Sequence, residues 1–364
     1  MIPNEHQKTM ERVFQTAIQG STNPGDYVQS MVGIESLPVA QTPYQVIYEK
    51  DEVRLLKYEP AVRTQRTPIL FVYSLINRYT ILDFMPGRSL IAYMLDQGYP
   101  VYCIDWGRPG EDEAELTWHD YLGRYLRRCV KHTLKDAGAE DLTLYGYCMG
   151  GTMALAYASL YPEGIRNFVA QATPVDFAQG GGILAEWTRP QYFNVDALVD
   201  AYGNVPTELM EMGFRSMDPI GTYQKWKGLF DRIEDKEFVE LFLAMEHWAS
   251  DNIPFPGEVY RQYIKDCYQT NAFMQGKMVI GGRRVDLSRI TVPMLVLMAD
   301  KDTIAPPASS AVLRELTRST DYAEIRFPCG HIGISTSSKG PRQFWPKVSA
   351  WLDAHAAPME PNHD

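Results

Sequence analysis

Four short runs of nearly unbroken apolar residues, PILFVYSL (68–75), YPVYCID (99–105), LTLYGY (142–147) and IRNFVAQAT (165–173), punctuate the first half of the chain. Runs of this length without alternation suit strands covered on both faces, as in a parallel sheet. Between them lie RSLIAYMLDQ (88–97), the long amphipathic TWHDYLGRYLRRCVKHTLKDAG (117–138) and GTMALAYASLY (151–161), whose apolar residues recur at helical spacing. Helices in those intervals supply the right-handed crossovers that parallel strands need. The pattern predicts an α/β core built on a mostly parallel, doubly wound sheet.

Upstream, YQVIYEKDEVRLLKYE (44–59) alternates about a polar KDE turn and predicts an opening β-hairpin. Residues 1–40 carry weak helical periodicity over 6–18 (Met10, Val13, Phe14, Ala17, Ile18), then a Gly/Ser/Pro-containing stretch, and read as an N-terminal appendage. Between 176 and 288 the strand–helix rhythm stops and the chain becomes rich in Trp, Tyr, Phe, Met and Pro. The rhythm resumes with VPMLVLMAD (292–300), a helix over 308–317, YAEIRFP (322–328) and a last helix near 342–354. A core made of 41–175 and 289–356, interrupted by a cap insertion over 176–288 and followed by a tail over 357–364, accounts for this order.

Composition narrows the function classes. Hydrophobic residues make up 45%, charged residues 22% and aromatic residues 12%, as in a folded protein. A net charge of -10 without any Lys/Arg-rich run argues against nucleic acid as a partner, because phosphate neutralisation needs a basic face. No stretch reaches the roughly 18 uninterrupted apolar residues of a membrane span, and the first twenty residues lack a signal-peptide apolar core. A cytoplasmic protein without a transmembrane segment is expected. The five cysteines, Cys103, Cys129, Cys148, Cys267 and Cys329, are odd in number and lack CxxC spacing, so reduced thiols are expected rather than disulfides or a metal site.

Cys148 stands apart from the other four. It sits in Gly146-Tyr147-Cys148-Met149-Gly150-Gly151, directly after one predicted strand and directly before a helix. That is the context of the nucleophile elbow of α/β-hydrolases, where glycines let strand and helix approach around a strained nucleophile, here with Cys in place of Ser. The helix N-terminus favours a thiolate, and the Met149 amide points where an oxyanion forms. The same fold places an acid after a late strand and a histidine after the last one. Asp302 follows LVLMADK, with Asp300 as the rival acid, and His331 follows YAEIRFPCG. The remaining histidines, His119, His132 and His247 in helical stretches and His6, His355 and His363 near the termini, are assigned no chemistry. A second oxyanion donor is expected from the loop after PILFVYS, at the backbone N–H of Ile76, with Asn77 and Arg78 shaping the loop. Taken singly, an Asp after a strand is more often a turn former or helix cap and a lone His more often a surface or core residue; their order at three strand ends is what joins them to Cys148.

These residues, together with VYSLINRYTILDFMPGRSL, VYCIDWG, YGNVP, PGEVYRQYIKD, GGRRVDL and GHIGI, resemble the polyhydroxyalkanoate synthases over about residues 44–352. The resemblance is to the short catalytic subunits of the two-subunit types called class III and class IV, and leans toward class IV. It implies an α/β-hydrolase fold and polymerisation of (R)-3-hydroxyacyl-CoA, typically 3-hydroxybutyryl-CoA, on Cys148, with Asp302 and His331 as its partners. CoA is then a product and no cofactor is implied. Also implied are a separate partner subunit, a homodimer or hetero-oligomer, and association with the polyester granule surface. Two positions depart from the family pattern: Thr303 where His is usual, and Cys329 where a small residue is usual. The competing readings are a Cys-His-Asp hydrolase of thioesterase or dienelactone-hydrolase type, and a non-catalytic granule protein. The cap rings Trp187, Tyr192, Phe193, Trp226, Phe230, Phe242 and Trp248 are candidates for closing over the site, against the plainer reading that they form the cap's own core.

Overall fold

A computed structural model describes residues 36–179, 183–217 and 219–357, together with Gln29. The helix expected over 6–18 and the residues after 357 lie outside the described residues. The opening hairpin forms as predicted, with β1 (Gln45–Lys50) antiparallel to β2 (Val53–Tyr58) about Asp51 in a left-handed conformation. There follow β3 (Ile69–Val72), helix α1 (Leu90–Asp96), β4 (Val101–Asp105), helix α2 (Arg127–Ala137), β5 (Leu142–Tyr147), helix α3 (Met149–Leu160) and β6 (Ile165–Gln171). Every residue of β3, β4 and β5 is buried, which is why their sequences do not alternate.

The insertion is mainly helical. It contains α4 (Val195–Tyr202), α5 (Thr207–Ser216), α6 (Pro219–Phe230), α7 (Lys236–Ser250) and α8 (Gly257–Gln262), then a π-helical turn over Tyr263–Gln269 and a small ribbon of β7 (Val279–Ile280) with β8 (Arg283–Arg284). Trp226, Leu229, Phe230, Val239, Phe242 and Leu243 make a separate small core between α6 and α7. Other parts of the insertion pack on the main core. Phe255, Val259, Tyr263, Ile264 and Phe273 join the same cluster as Leu70 and Leu144 of the sheet and Trp118 of a covering helix.

After the insertion come β9 (Met294–Ala299), β10 (Tyr322–Phe327) and helix α9 (Trp345–His355). The main sheet has the order β1-β2-β4-β3-β5-β6-β9-β10, antiparallel only at the β1–β2 and β2–β4 pairings. Parallel register from β3 to β10 sends the loops after β3, β5, β6, β9 and β10 to one edge, where open α/β sheets bind ligands. Among the described residues no helix is long and apolar enough to cross a membrane.

Helix α3 is buried over all twelve residues, so it is apolar all round instead of amphipathic. Its first turn touches the sheet backbone directly. A Cβ on Gly146 would fall 2.4 Å from the Gly151 Cα, and one on Gly150 would fall 2.2 Å from the Val72 carbonyl oxygen. Neither obstacle is a side chain that can swing away. Gly150→Ala is therefore expected to lose about 1–3 kcal/mol of stability, the usual cost of overpacking, read as a lower urea midpoint at unchanged slope.

Candidate active site

Cys148 caps the N-terminus of α3 with φ 52° and ψ -130°, a strained conformation for a residue with a Cβ. The constraint comes from both sides: Cys148 N–H donates to the Gln171 carbonyl at 2.9 Å, and the Cys148 carbonyl accepts from Gly151 N–H at 2.9 Å. The sharp reversal leaves the thiol half-buried at the sheet edge. Met149 is the first residue of the helix, so its N–H has no place in the helical hydrogen-bond ladder.

Asp302 and His331 arrive from the ends of β9 and β10. Asp302 is buried, with Oδ2 2.7 Å from His331 Nδ1. Its other oxygen, Oδ1, accepts the N–H groups of Ile304 at 2.8 Å and Ala305 at 2.9 Å. The carboxylate is thereby locked with one face toward the imidazole. Asp300, the rival acid, is exposed and pairs with Arg326 at 2.7 Å. His331 lines the same cavity as Cys148, which is the strongest upward influence on its imidazole, so the three side chains adjoin one another.

Burial of the imidazole works against its charge. The negative charge of Cys148 beside it and the hydrogen bonds to Asp302 and Cys148 outweigh that and push His331 up from the ordinary 6.5 to about 10. A ring whose folded value lies above its unfolded one stabilises the fold fully below about pH 6.5, and loses that contribution as pH rises through about 10. Cys329, two residues away, differs: burial, then Asp302 and Asp300, push its thiol up to about 11, so it stays neutral near pH 7. Cys103, Cys129 and Cys267 are fully buried.

Tyr147, the variable residue of the elbow, brackets the histidine. Its ring stacks on His331 at 5.7 Å between centroids, and its hydroxyl donates to the His331 carbonyl at 3.2 Å. Beneath it, the Tyr145 hydroxyl donates to Gln171 at 2.6 Å and Gln171 donates to Ser335 at 2.7 Å, tying β5 and β6 to the turn after His331. The three histidines in helical stretches take no part. His132 stacks on Tyr48, while His119 and His247 are exposed on their helices.

A cavity of about 520 Å³ opens above Cys148 and His331. Of the seven cap rings considered from sequence, only Trp248 lines it. Trp226, Phe230 and Phe242 belong to the cap's own core, Trp187 and Tyr192 are exposed, and Phe193 packs beside Tyr260. Tyr263 and Tyr268 line the cavity instead, with rings 5.5 Å apart. Five residues apart, they would point about 140° away from each other on an α-helix at about 100° per residue. The π-helical winding over Tyr263–Gln269 brings them to one side, a device that apolar periodicity does not reveal.

The loop after β3 also departs from expectation. The Ile76 N–H, expected as the second oxyanion donor, instead donates to Ser74 Oγ at 3.0 Å. The insertion holds this loop from above. Ile253 N–H donates to the Ile76 carbonyl at 3.1 Å, Trp248 indole N–H donates to the Arg78 carbonyl at 2.9 Å, and the Asn77 and Asn252 side chains are bonded to each other.

Comparison with known proteins fits this architecture. A family model described as the alpha/beta hydrolase fold matches residues 67–337, and one described as the N-terminus of poly-beta-hydroxybutyrate polymerase (PhaC) matches residues 21–94. The poly(3-hydroxyalkanoate) polymerase subunit PhaC of Allochromatium vinosum is 38% identical over 347 residues, 94% of this chain and 97% of that protein. The chain belongs to the poly(3-hydroxyalkanoate) polymerase family. The corresponding subunit of Synechocystis is 39% identical, covering 87% of this chain and 86% of that one. That of Haloferax mediterranei is 42% identical over 321 residues, and the chain spans only 65% of that longer relative. Membership makes the protein an acyltransferase, as its motifs imply. Among solved structures, a soluble variant of yeast monoglyceride lipase superposes with a TM-score of 0.57 at 15% identity, covering 88% of this chain and 98% of that one. The monoacylglycerol lipase of Paleococcus ferrophilus gives 0.50 at 19%, covering 84% and 100%. These two show the shared fold and nothing finer.

The charge balance at Cys148 and His331 is directly measurable. Replacing Cys148 by Ala removes the chief upward influence on the ring, so His331 is expected to titrate well below about 10 in that variant, followed by NMR of the imidazole. An unchanged titration would mean that the ring does not face a charged sulfur.

Proposed function

We propose that this polymerase extends a polyester from (R)-3-hydroxyacyl-CoA, with 3-hydroxybutyryl-CoA as the typical substrate, through a thioester on Cys148. The observation that carries the proposal is the juxtaposition of Cys148 and His331 on one cavity, with Asp302 bonded to His331 from behind. A thiolate attacks the substrate carbonyl, the acyl group moves to sulfur, and the leaving CoA sulfur takes the proton held on His331. The enzyme-bound product is again a thioester, activated for transfer to the 3-hydroxyl of another unit. His331, neutral after the first step, then accepts that hydroxyl's proton.

The position of Asp302 supports an orienting role. With Oδ1 held by two backbone amides and Oδ2 on His331, the carboxylate fixes the ring and has no oxygen turned toward the cavity for the substrate hydroxyl. Farther out, Arg215 and Lys225 on the cavity wall are half-exposed cations paired with Glu211 and Glu246. They are the groups to receive the phosphates of CoA by exchanging carboxylate for phosphate. A separate partner subunit, a cytoplasmic location and attachment to the granule surface complete the proposal. Their support is the family resemblance and the description of the relatives as subunits.

Purified protein, with and without candidate partner subunits, is expected to release CoA from 3-hydroxybutyryl-CoA while forming insoluble polyester. Cys148→Ala abolishes both, and His331→Ala lowers the rate by about 10²- to 10⁴-fold, the span of general acid–base contributions. Release of CoA with only free hydroxy acid would replace the polymerase reading by a thioesterase.

A further inference from the structure

Ser74 lies two residues beyond β3, beside the nucleophile. Val72 of β3 is opposite Gly146 of β5, so Tyr73 and Ser74 leave the sheet alongside Tyr147 and Cys148. A Cβ on Gly150 would lie 2.5 Å from both the carbonyl carbon and oxygen of Tyr73, which sets the Tyr73–Ser74 peptide against the first turn of α3. Ser74 is 3% exposed and lines the same cavity as Cys148 and His331. Its Oγ accepts the Ile76 N–H at 3.0 Å. A serine hydroxyl has two acceptor positions and one donor hydrogen, so this bond leaves the hydrogen to be given, and accepting a bond strengthens it as a donor.

The same contact occupies the Ile76 amide. To turn toward Cys148 the Ile76 N–H would have to break its bond to Ser74, and the Ile76 carbonyl of the next peptide accepts from Ile253 N–H, which anchors the loop to the insertion. We infer that the Ser74 hydroxyl, held in place by the Ile76 amide, is the second oxyanion donor of the site. This assignment rests on the acyl-transfer reading above. As the Cys148 thiolate forms its bond to the thioester carbon, the carbonyl electron pair moves onto oxygen. That oxygen takes hydrogen bonds from the Ser74 O–H and the Met149 N–H. Collapse returns the pair and breaks the carbon–sulfur bond to CoA, whose sulfur leaves with the His331 proton.

The test compares Ser74→Ala and Ser74→Thr with the unaltered chain in single-turnover CoA release from 3-hydroxybutyryl-CoA. Ser74→Ala is expected to be slower by about 10²- to 10³-fold, the usual loss of one oxyanion donor, with KM little changed. Ser74→Thr keeps the hydroxyl and should recover most of the rate. Alkylation of Cys148 by iodoacetamide passes through no oxyanion, so Ser74→Ala should alkylate at the unaltered rate. CoA release by Ser74→Ala within a few-fold of the unaltered chain would overturn the assignment, since removing Oγ frees the Ile76 amide to act. So would a parallel fall in alkylation, which would make Ser74 a support for the nucleophile. An unaltered chain that ignores the CoA thioester counts against the polymerase reading alone. The Ser74 comparison is then made on acylation by p-nitrophenyl butyrate, which forms the same oxyanion.

Discussion

The closeness of β5 to α3 is the constraint on which the rest of this protein depends. Strand and helix meet with Gly146 against Gly151, and with Gly150 against the backbone at the end of β3, at distances that any Cβ would forbid. That contact leaves Cys148 no relaxed conformation and throws its thiol out at the edge where the strands end. It also presses the first turn of α3 against the loop that carries Ser74. Cys148, the helix N-terminus and the loop after β3 are thus placed by one packing event.

Around that point the structure invests its buried polar contacts. Asp302 uses one oxygen on its own loop and the other on His331, so the ring's orientation follows from the backbone of the β9 loop. Tyr147 stacks on the other side of the ring, and the Tyr145–Gln171–Ser335 bonds fix the turn that follows it. The result is a charge arrangement in which burial alone would discharge the imidazole, yet the sulfur and carboxylate keep it protonated near neutral pH. A proton held there suits a reaction whose leaving group is a thiolate.

The insertion serves the site in a way its composition does not announce. Its aromatic residues divide between a small core of their own and the main core, and its contribution to the cavity comes from Trp248 and the Tyr263 and Tyr268 pair. Its tether to the core runs through Asn252, Ile253 and Trp248, which bond to the loop after β3. Movement of α7 would therefore be felt in the loop after β3.

Much of this was legible in the chain itself. Unbroken apolar runs reported a sheet covered on both faces, glycines flanking Cys148 reported the elbow, and the order of cysteine, aspartate and histidine at the ends of β5, β9 and β10 reported which side chains meet, because parallel topology carries those ends to one edge. Three matters were decided only by tertiary structure. Asp302 was separated from Asp300 by which carboxylate the β9 loop turns inward, a difference of backbone direction that leaves no trace in residue type. Tyr263 and Tyr268 came together through a π-helical turn, outside any α-helical period. The Ile76 amide was engaged by Ser74 because loop hydrogen bonds depend on local dihedral angles and on what packs above them, and what packs above them here is a segment some 175 residues farther along the chain.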